Sequence, residues 1–70
     1  MEYTGKYKRM HSKTLGRDVS ILEYRSSEKI PYCDCDRCGK PIIKKMFVVQ
    51  DAETALIDFY LGSECIKHFN

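Results

Sequence analysis

Long hydrophobic runs are missing from this chain: the longest uninterrupted apolar stretch is Met46-Phe47-Val48-Val49, far short of the roughly 20 residues that a membrane-spanning helix needs. No membrane partner is expected. An apolar leader is also missing, because Met1 to Ser12 place Lys6, Lys8 and Arg9 among tyrosines and small polar groups. That absence points to a cytosolic, reducing compartment. Internal repeats and low-complexity segments are lacking, and 70 residues leave no room for a second domain. A chain of this length buries only about 60% of its unfolded surface, near the lower limit for a self-sufficient core. A staple is therefore expected.

The cysteines supply a candidate. Four cysteines could form a disulfide framework in three pairings, but the expected reducing compartment argues for metal instead. Cys35 and Cys38 are separated by two residues and run into Gly39, and Cys65 and His68 repeat the spacing within Gly62-Ser63-Glu64-Cys65-Ile66-Lys67-His68. Thiolate sulfur and imidazole nitrogen are donors that suit zinc, which takes four of them in a tetrahedron. One structural Zn2+ on Cys35, Cys38, Cys65 and His68 is expected. Gly39 permits the positive φ that such a knuckle needs. Ser63 suits an N-cap and Glu64 the positive end of a helix dipole, so Cys65 and His68 are expected on one face of a short C-terminal helix. Ile66 stands where a capping box would need Glu or Gln. Cys33 offers a third sulfur beside the knuckle. Its pairing with Cys38 is the alternative to Cys35, although it lengthens the spacing to four intervening residues, and otherwise Cys33 is a half-buried thiol.

Between the ligand pairs the pattern predicts a β-hairpin, residues 43–50 and 55–61, with Asp51-Ala52-Glu53-Thr54 as its turn. Ile57, Phe59 and Leu61 alternate with Asp58 and Tyr60, the period of two of a strand with one buried face. Phe47 and Val49 could pair with them, and Ile66 and Phe69 add apolar groups from the helix. Before the knuckle, residues 7–14 and 19–24 read as two further strands turning at Gly16, with the first five residues loosely ordered. A polar connector follows at Ser26-Ser27-Glu28-Lys29, and Pro31 keeps Ile30 extended. The expected fold class is α+β. It is a single zinc-binding domain over 1–70, with an N-terminal hairpin extension over 1–31 and a zinc finger over 32–70.

A zinc knuckle, a hairpin and a helix whose first turn carries the other two ligands resemble the treble-clef zinc finger over about Cys35 to Asn70. Cys-Asp-Arg-Cys-Gly-Lys-Pro-Ile followed by Tyr-Leu-Gly-Ser-Glu-Cys-Ile-Lys also resembles small uncharacterised proteins of bacteriophages and bacterial mobile elements. These resemblances imply zinc on Cys35, Cys38, Cys65 and His68, and a small binding protein of the bacterial cytoplasm without established chemistry. His68 stands where many treble clefs have cysteine. The chain also ends at Asn70, leaving little helix to enter a DNA groove.

Catalysis is not expected. Four protein donors close a zinc site, whereas catalytic zinc keeps an open position. His11 has no evident partner, Asp34 and Asp36 read as a solvated rim, and no small-molecule substrate is implied. Two kinds of partner remain. For nucleic acid, Lys6, Lys8, Arg9, Lys13 and Arg17 interleave with Tyr3 and Tyr7, so phosphates could track a basic strand while a base stacks. Residues 1–31 carry seven Lys or Arg against four Asp or Glu, net +3, and residues 32–70 carry five against six, net −1. Steering by the overall +2 is weak, and the pI of 8.4 lies below the value of about 9 common in dedicated nucleic-acid modules. For a protein partner or a homodimer, Tyr24, Tyr32 and Tyr60 are candidate anchors, with Leu56 beside Tyr60 as an apolar patch. If the phage likeness holds, a host protein is the natural target.

Overall fold

The computed structural model describes residues 2–27 and 31–70. Strands make up 56% of these residues and no helix reaches seven. The expected α+β class is thereby corrected to an antiparallel β fold. The strands are β1 (Glu2–Ser12), β2 (Arg17–Arg25), β3 (Cys33–Asp34), β4 (Pro41–Ile42), β5 (Lys45–Asp51) and β6 (Ile57–Gly62). In place of the C-terminal helix there is one 3₁₀ turn, Cys65–His68. The physical reason is capping: Glu64 rather than Ser63 precedes the turn, and no side chain takes up its free backbone N–H groups. Four residues fall far below the length at which a helix holds itself together. Among the described residues no helix is long and apolar enough to cross a membrane.

The two expected hairpins form, but they do not stand apart. Antiparallel pairing of β2 with β5, from Val19 opposite Asp51 to Arg25 opposite Lys45, fuses them into one four-stranded sheet in the order β1-β2-β5-β6. A separate two-stranded ladder pairs Cys33 with Ile42 and Asp34 with Pro41. β1 reaches back to Glu2, so residues expected to be loose are paired with Tyr24 and Arg25. That pairing is interrupted between Tyr3 and Tyr7, where Gly5 adopts φ +84°, a backbone that side-chain-bearing residues rarely take. The expected connector over 26–29 and the extended Ile30 fall partly outside the described residues.

Alternation assigns the faces. Phe47 and Val49 share one face with Phe59 and Leu61 across β6, while Met46 and Val48 share the other with Tyr60. On the first of these faces Phe69 packs its ring 6.2 Å from Phe59, and Ile66 joins it against the core. On the second, β3 and β4 lie across β5 and β6, with Cys33 Sγ 3.9 Å from Met46 Sδ and the Tyr32 ring 6.5 Å from that of Tyr60. β5 is therefore covered on both sides, and Met46, Val48 and Val49 are buried. The expected single-face alternation of Ile57, Phe59 and Leu61 fails at Ile57, which is 50% exposed. The cause is an irregularity: Gln50 opposes Ile57 and Val49 opposes Phe59, leaving Asp58 as the extra residue. A bulge re-aims a side chain, and here it brings the Asp58 carboxylate to the Arg17 guanidinium.

The chain end is tied to the first hairpin. Fully buried Ser12 donates its hydroxyl to the Asn70 carbonyl at 2.8 Å and accepts from the Leu15 N–H at 3.1 Å. The Thr14 N–H donates to the same Asn70 carbonyl at 3.0 Å. Ser12→Ala removes one bond and orphans one donor, which costs about 1–2 kcal/mol. In a domain of this size the melting temperature should then fall by about 4–15 °C. An unchanged melt of the metal-loaded variant would show that this tie is idle.

Candidate metal centre

Two stretches from opposite faces of the sheet meet at the outer edge of β6. The first is the knuckle. Its turn closes with the Gly39 N–H donating to the Cys35 carbonyl at 2.8 Å and the Cys35 N–H donating to the Lys40 carbonyl at 2.8 Å. Gly39 adopts φ +75° there, the conformation expected from its position after Cys38. Asp36 fixes the knuckle to the sheet. Its N–H donates to the Tyr60 carbonyl at 2.9 Å and its Oδ2 accepts from the Tyr60 N–H at 2.7 Å. These bonds occupy the polar groups that β6 would otherwise leave open at its edge. The second stretch is the 3₁₀ turn, which follows β6 by two residues and presents Cys65.

Together they gather three sulfurs. Cys35, Cys38 and Cys65 lie with their Sγ atoms all within 4.8 Å of one another. Cys35 and Cys65 are buried, at 3% and 4% exposure, while Cys38 is exposed. Three cysteines so placed form a group that could hold a metal ion. A tetrahedral zinc with arms of about 2.3 Å sets its sulfurs about 3.8 Å apart, so the group fits such an ion with little closing. The electrostatics favour a cation as well. Burial pushes the Cys35 thiol up, but hydrogen bonds from the backbone N–H groups of Cys38, Gly62 and Arg37, with the Cys65 thiol, outweigh it and bring the thiol down to about 6. Hydrogen bonding with Cys38, then with Cys35, raises the Cys65 thiol. Metal binding takes the thiolate form, so the lowered Cys35 thiol is the one readiest to receive a cation.

The remaining expected donors are not in this group. His68 is exposed and lines a cleft with Asp36, Arg37, Phe59 and Phe69. Cys33 points to Met46 instead. Burial, then the charges of Asp36 and Asp34, raises its thiol above the ordinary range, which keeps it a neutral packing group.

Two residues of the site escaped the sequence reading. Asp36 looked like part of a solvated rim, yet it is the clasp between knuckle and sheet. Arg37 brings Nη1 to 3.8 Å from Cys65 Sγ, setting a positive charge beside the sulfurs. Neither has a signal in ligand spacing, because both act on residues more than twenty positions away.

The basic residues of the first hairpin also divide. Arg17 is paired with Asp51, Nε to Oδ2 3.0 Å, and with Asp58. Arg9 and His11 share Asp18, at 3.5 and 3.0 Å. Lys6 lies 3.9 Å from Glu23, a buried carboxylate that also faces Lys45 at 3.6 Å and accepts from the Thr4 hydroxyl at 2.9 Å. Lys8 and Lys13 have no carboxylate partner among the described residues. The expected apolar patch is split: Leu56 is 70% exposed, but Tyr60 is half-buried against Tyr32. No protein-family model, no curated protein and no solved structure matches the chain.

Proposed function

We propose that this protein is a non-enzymatic binding module, stapled by one structural zinc ion, that takes nucleic acid along β1. The metal reading rests on the three gathered sulfurs. Soft thiolates in a tight cluster select zinc over harder cations, and His68, three residues after Cys65, is the natural fourth donor. Four protein donors leave no coordination position for a substrate.

The nucleic-acid reading rests on one observation: every residue from Glu2 to Arg9 is exposed on an edge strand. That stretch carries Lys6, Lys8 and Arg9 against Glu2, with Tyr3 and Tyr7 between them. Arg17 drops out of the contact set, since two carboxylates already neutralise it. Three phosphate contacts from Lys6, Lys8 and Arg9 imply that affinity falls about 20- to 40-fold between about 50 and 200 mM salt. Fluorescence anisotropy of labelled oligonucleotides at the two salt levels checks this. Lys8→Ala should flatten the logarithmic salt slope by about 0.7–0.9. Binding that ignores salt, or that survives Lys8→Ala and Arg9→Ala together, would retire the reading. A second reading, protein docking, is favoured by one feature alone: Leu56 and Ile57 are adjacent and exposed at the β5–β6 turn.

A further inference from the structure

The aromatic residues of this chain are sorted by type between the two faces of the sheet. All three phenylalanines belong to one face: Phe47 and Phe59 point there by register, and Phe69 packs onto Phe59. All five tyrosines belong to the other. Tyr24 shares that face with Met46, and Tyr60 shares it with Val48. Tyr3 and Tyr7 stand opposite Tyr24 and Leu22, and Tyr32 rests on Tyr60. A tyrosine ring is apolar on its faces and polar at its tip, so it tolerates water where phenylalanine does not.

Cover on the tyrosine face is incomplete. β3 and β4 shield β5 and β6, but the half formed by β1 and β2 is open, with Tyr3 48% and Tyr7 56% exposed. Tyr32, at the rim of the covered half, is 57% exposed. The open rings are held rather than loose. Tyr3 lies 5.5 Å from the Tyr24 ring at 53°, and the Tyr7 hydroxyl accepts from Ser20 Oγ at 3.3 Å. Arg9 emerges on the same face one alternation after Tyr7, and Lys8 projects from the same strand toward the opposite face.

We infer that this open tyrosine face is a stacking platform for single-stranded nucleic acid. The inference rests on the nucleic-acid reading above and names the form of the ligand. Exposed rings beside cationic side chains are the deciding argument. Tyr3 and Tyr7 stand opposite residues two positions apart on β2, a backbone separation along the sheet of about 6.7 Å. A single strand offers base faces free to stack on such rings, whereas a duplex keeps them covered by neighbouring base pairs. Arg9 then meets the phosphates on the ring side, while Lys6 and Lys8 meet them around the strand edge. The missing C-terminal helix agrees with this choice, because among the described residues no helix reaches seven residues and so none is long enough to read a major groove.

The test uses the full-length, metal-loaded chain and oligonucleotides of about twelve nucleotides as single strands and as the matching duplex. Tryptophan is absent, so tyrosine emission reports ring stacking directly, alongside anisotropy. Single strands should bind more tightly than the duplex and quench the emission. Tyr7→Leu should weaken single-strand binding by about 5- to 100-fold, while Tyr7→Phe, which keeps the ring, stays close to the parent. Circular dichroism and metal content confirm that each variant is folded. Equal binding of duplex and single strand, or a Tyr7→Leu variant that binds like the parent, overturns the platform and leaves nucleic-acid binding standing. Failure of the folded parent to bind either form at low salt overturns both.

Discussion

Excess chelator should unfold this protein: the far-UV β-sheet spectrum of the zinc-loaded chain collapses, and returning one equivalent of zinc restores it. The reason is one of scale. A domain of 70 residues has a net stability of about 4–10 kcal/mol, whereas a structural zinc contributes about 10–16 kcal/mol. On the zinc reading, the ion would join a knuckle that the Asp36–Tyr60 bonds hold at the edge of β6 to a four-residue turn with no side-chain cap. Without it, the turn has little to retain it beyond Ile66, Phe69 and the Asn70 tie. Cys65→Ser should lose the metal and the fold together. Cys33→Ser should keep one metal per chain, because that sulfur faces Met46 and not the cluster. A spectrum unchanged in chelator would refute the staple, and loss of metal from Cys33→Ser would exchange Cys33 for Cys35 as donor.

Arg17→Ala is expected to be the most damaging change to a charged residue outside the metal site. Its guanidinium faces two carboxylates, and among the described residues Asp58 has no other partner: Oδ1 is bound to Arg17, and the buried Oδ2 has no hydrogen bond. Asp58 is 17% exposed at its side chain and Arg17 41%. Solvent therefore screens one end of the pair, and the loss falls below that of a fully buried bridge, at about 1–3 kcal/mol. The melting temperature should drop by about 4–20 °C. Replacing Asp58 by Asn in the same chain removes the stranded charge and should recover part of the loss, a coupling that a double-mutant cycle measures. Additive losses would mean that the two residues do not act together. Affinity for oligonucleotides, by contrast, should be insensitive to Arg17→Ala once the protein is folded.

What the sequence made legible was local. The Cys35–Cys38 knuckle, the left-handed Gly39, the turn at Asp51 and the strands around Phe47 and Phe59 depend on neighbours a few residues apart, and such patterns are written in order along the chain. The errors arose where distant segments decide. A serine, an acidic residue and ligands three apart suggested a short C-terminal helix, but no side chain caps its start and the turn stays a single 3₁₀ loop. The pairing of β2 with β5 joins residues 20 to 32 apart in sequence, and no alternation pattern announces which hairpin edges will meet. The bulge at Asp58 shifted Ile57 out of the core for a reason that lies on another strand, in Arg17. Of the expected donors, three sulfurs converge, while His68 lines the cleft shared by Asp36, Arg37, Phe59 and Phe69.

The hold that Ser12 and Thr14 keep on the Asn70 carbonyl joins two parts of the chain that have separate tasks in this reading. The turn bearing Cys65 ends on the strand bearing Tyr7, with no flexible spacer between them. A free-energy change at one end of such a tie is felt at the other, and equally in both directions. The consequence is reciprocity: an ion that orders the turn makes the strand a better receptor, and a ligand on the strand makes the ion harder to lose.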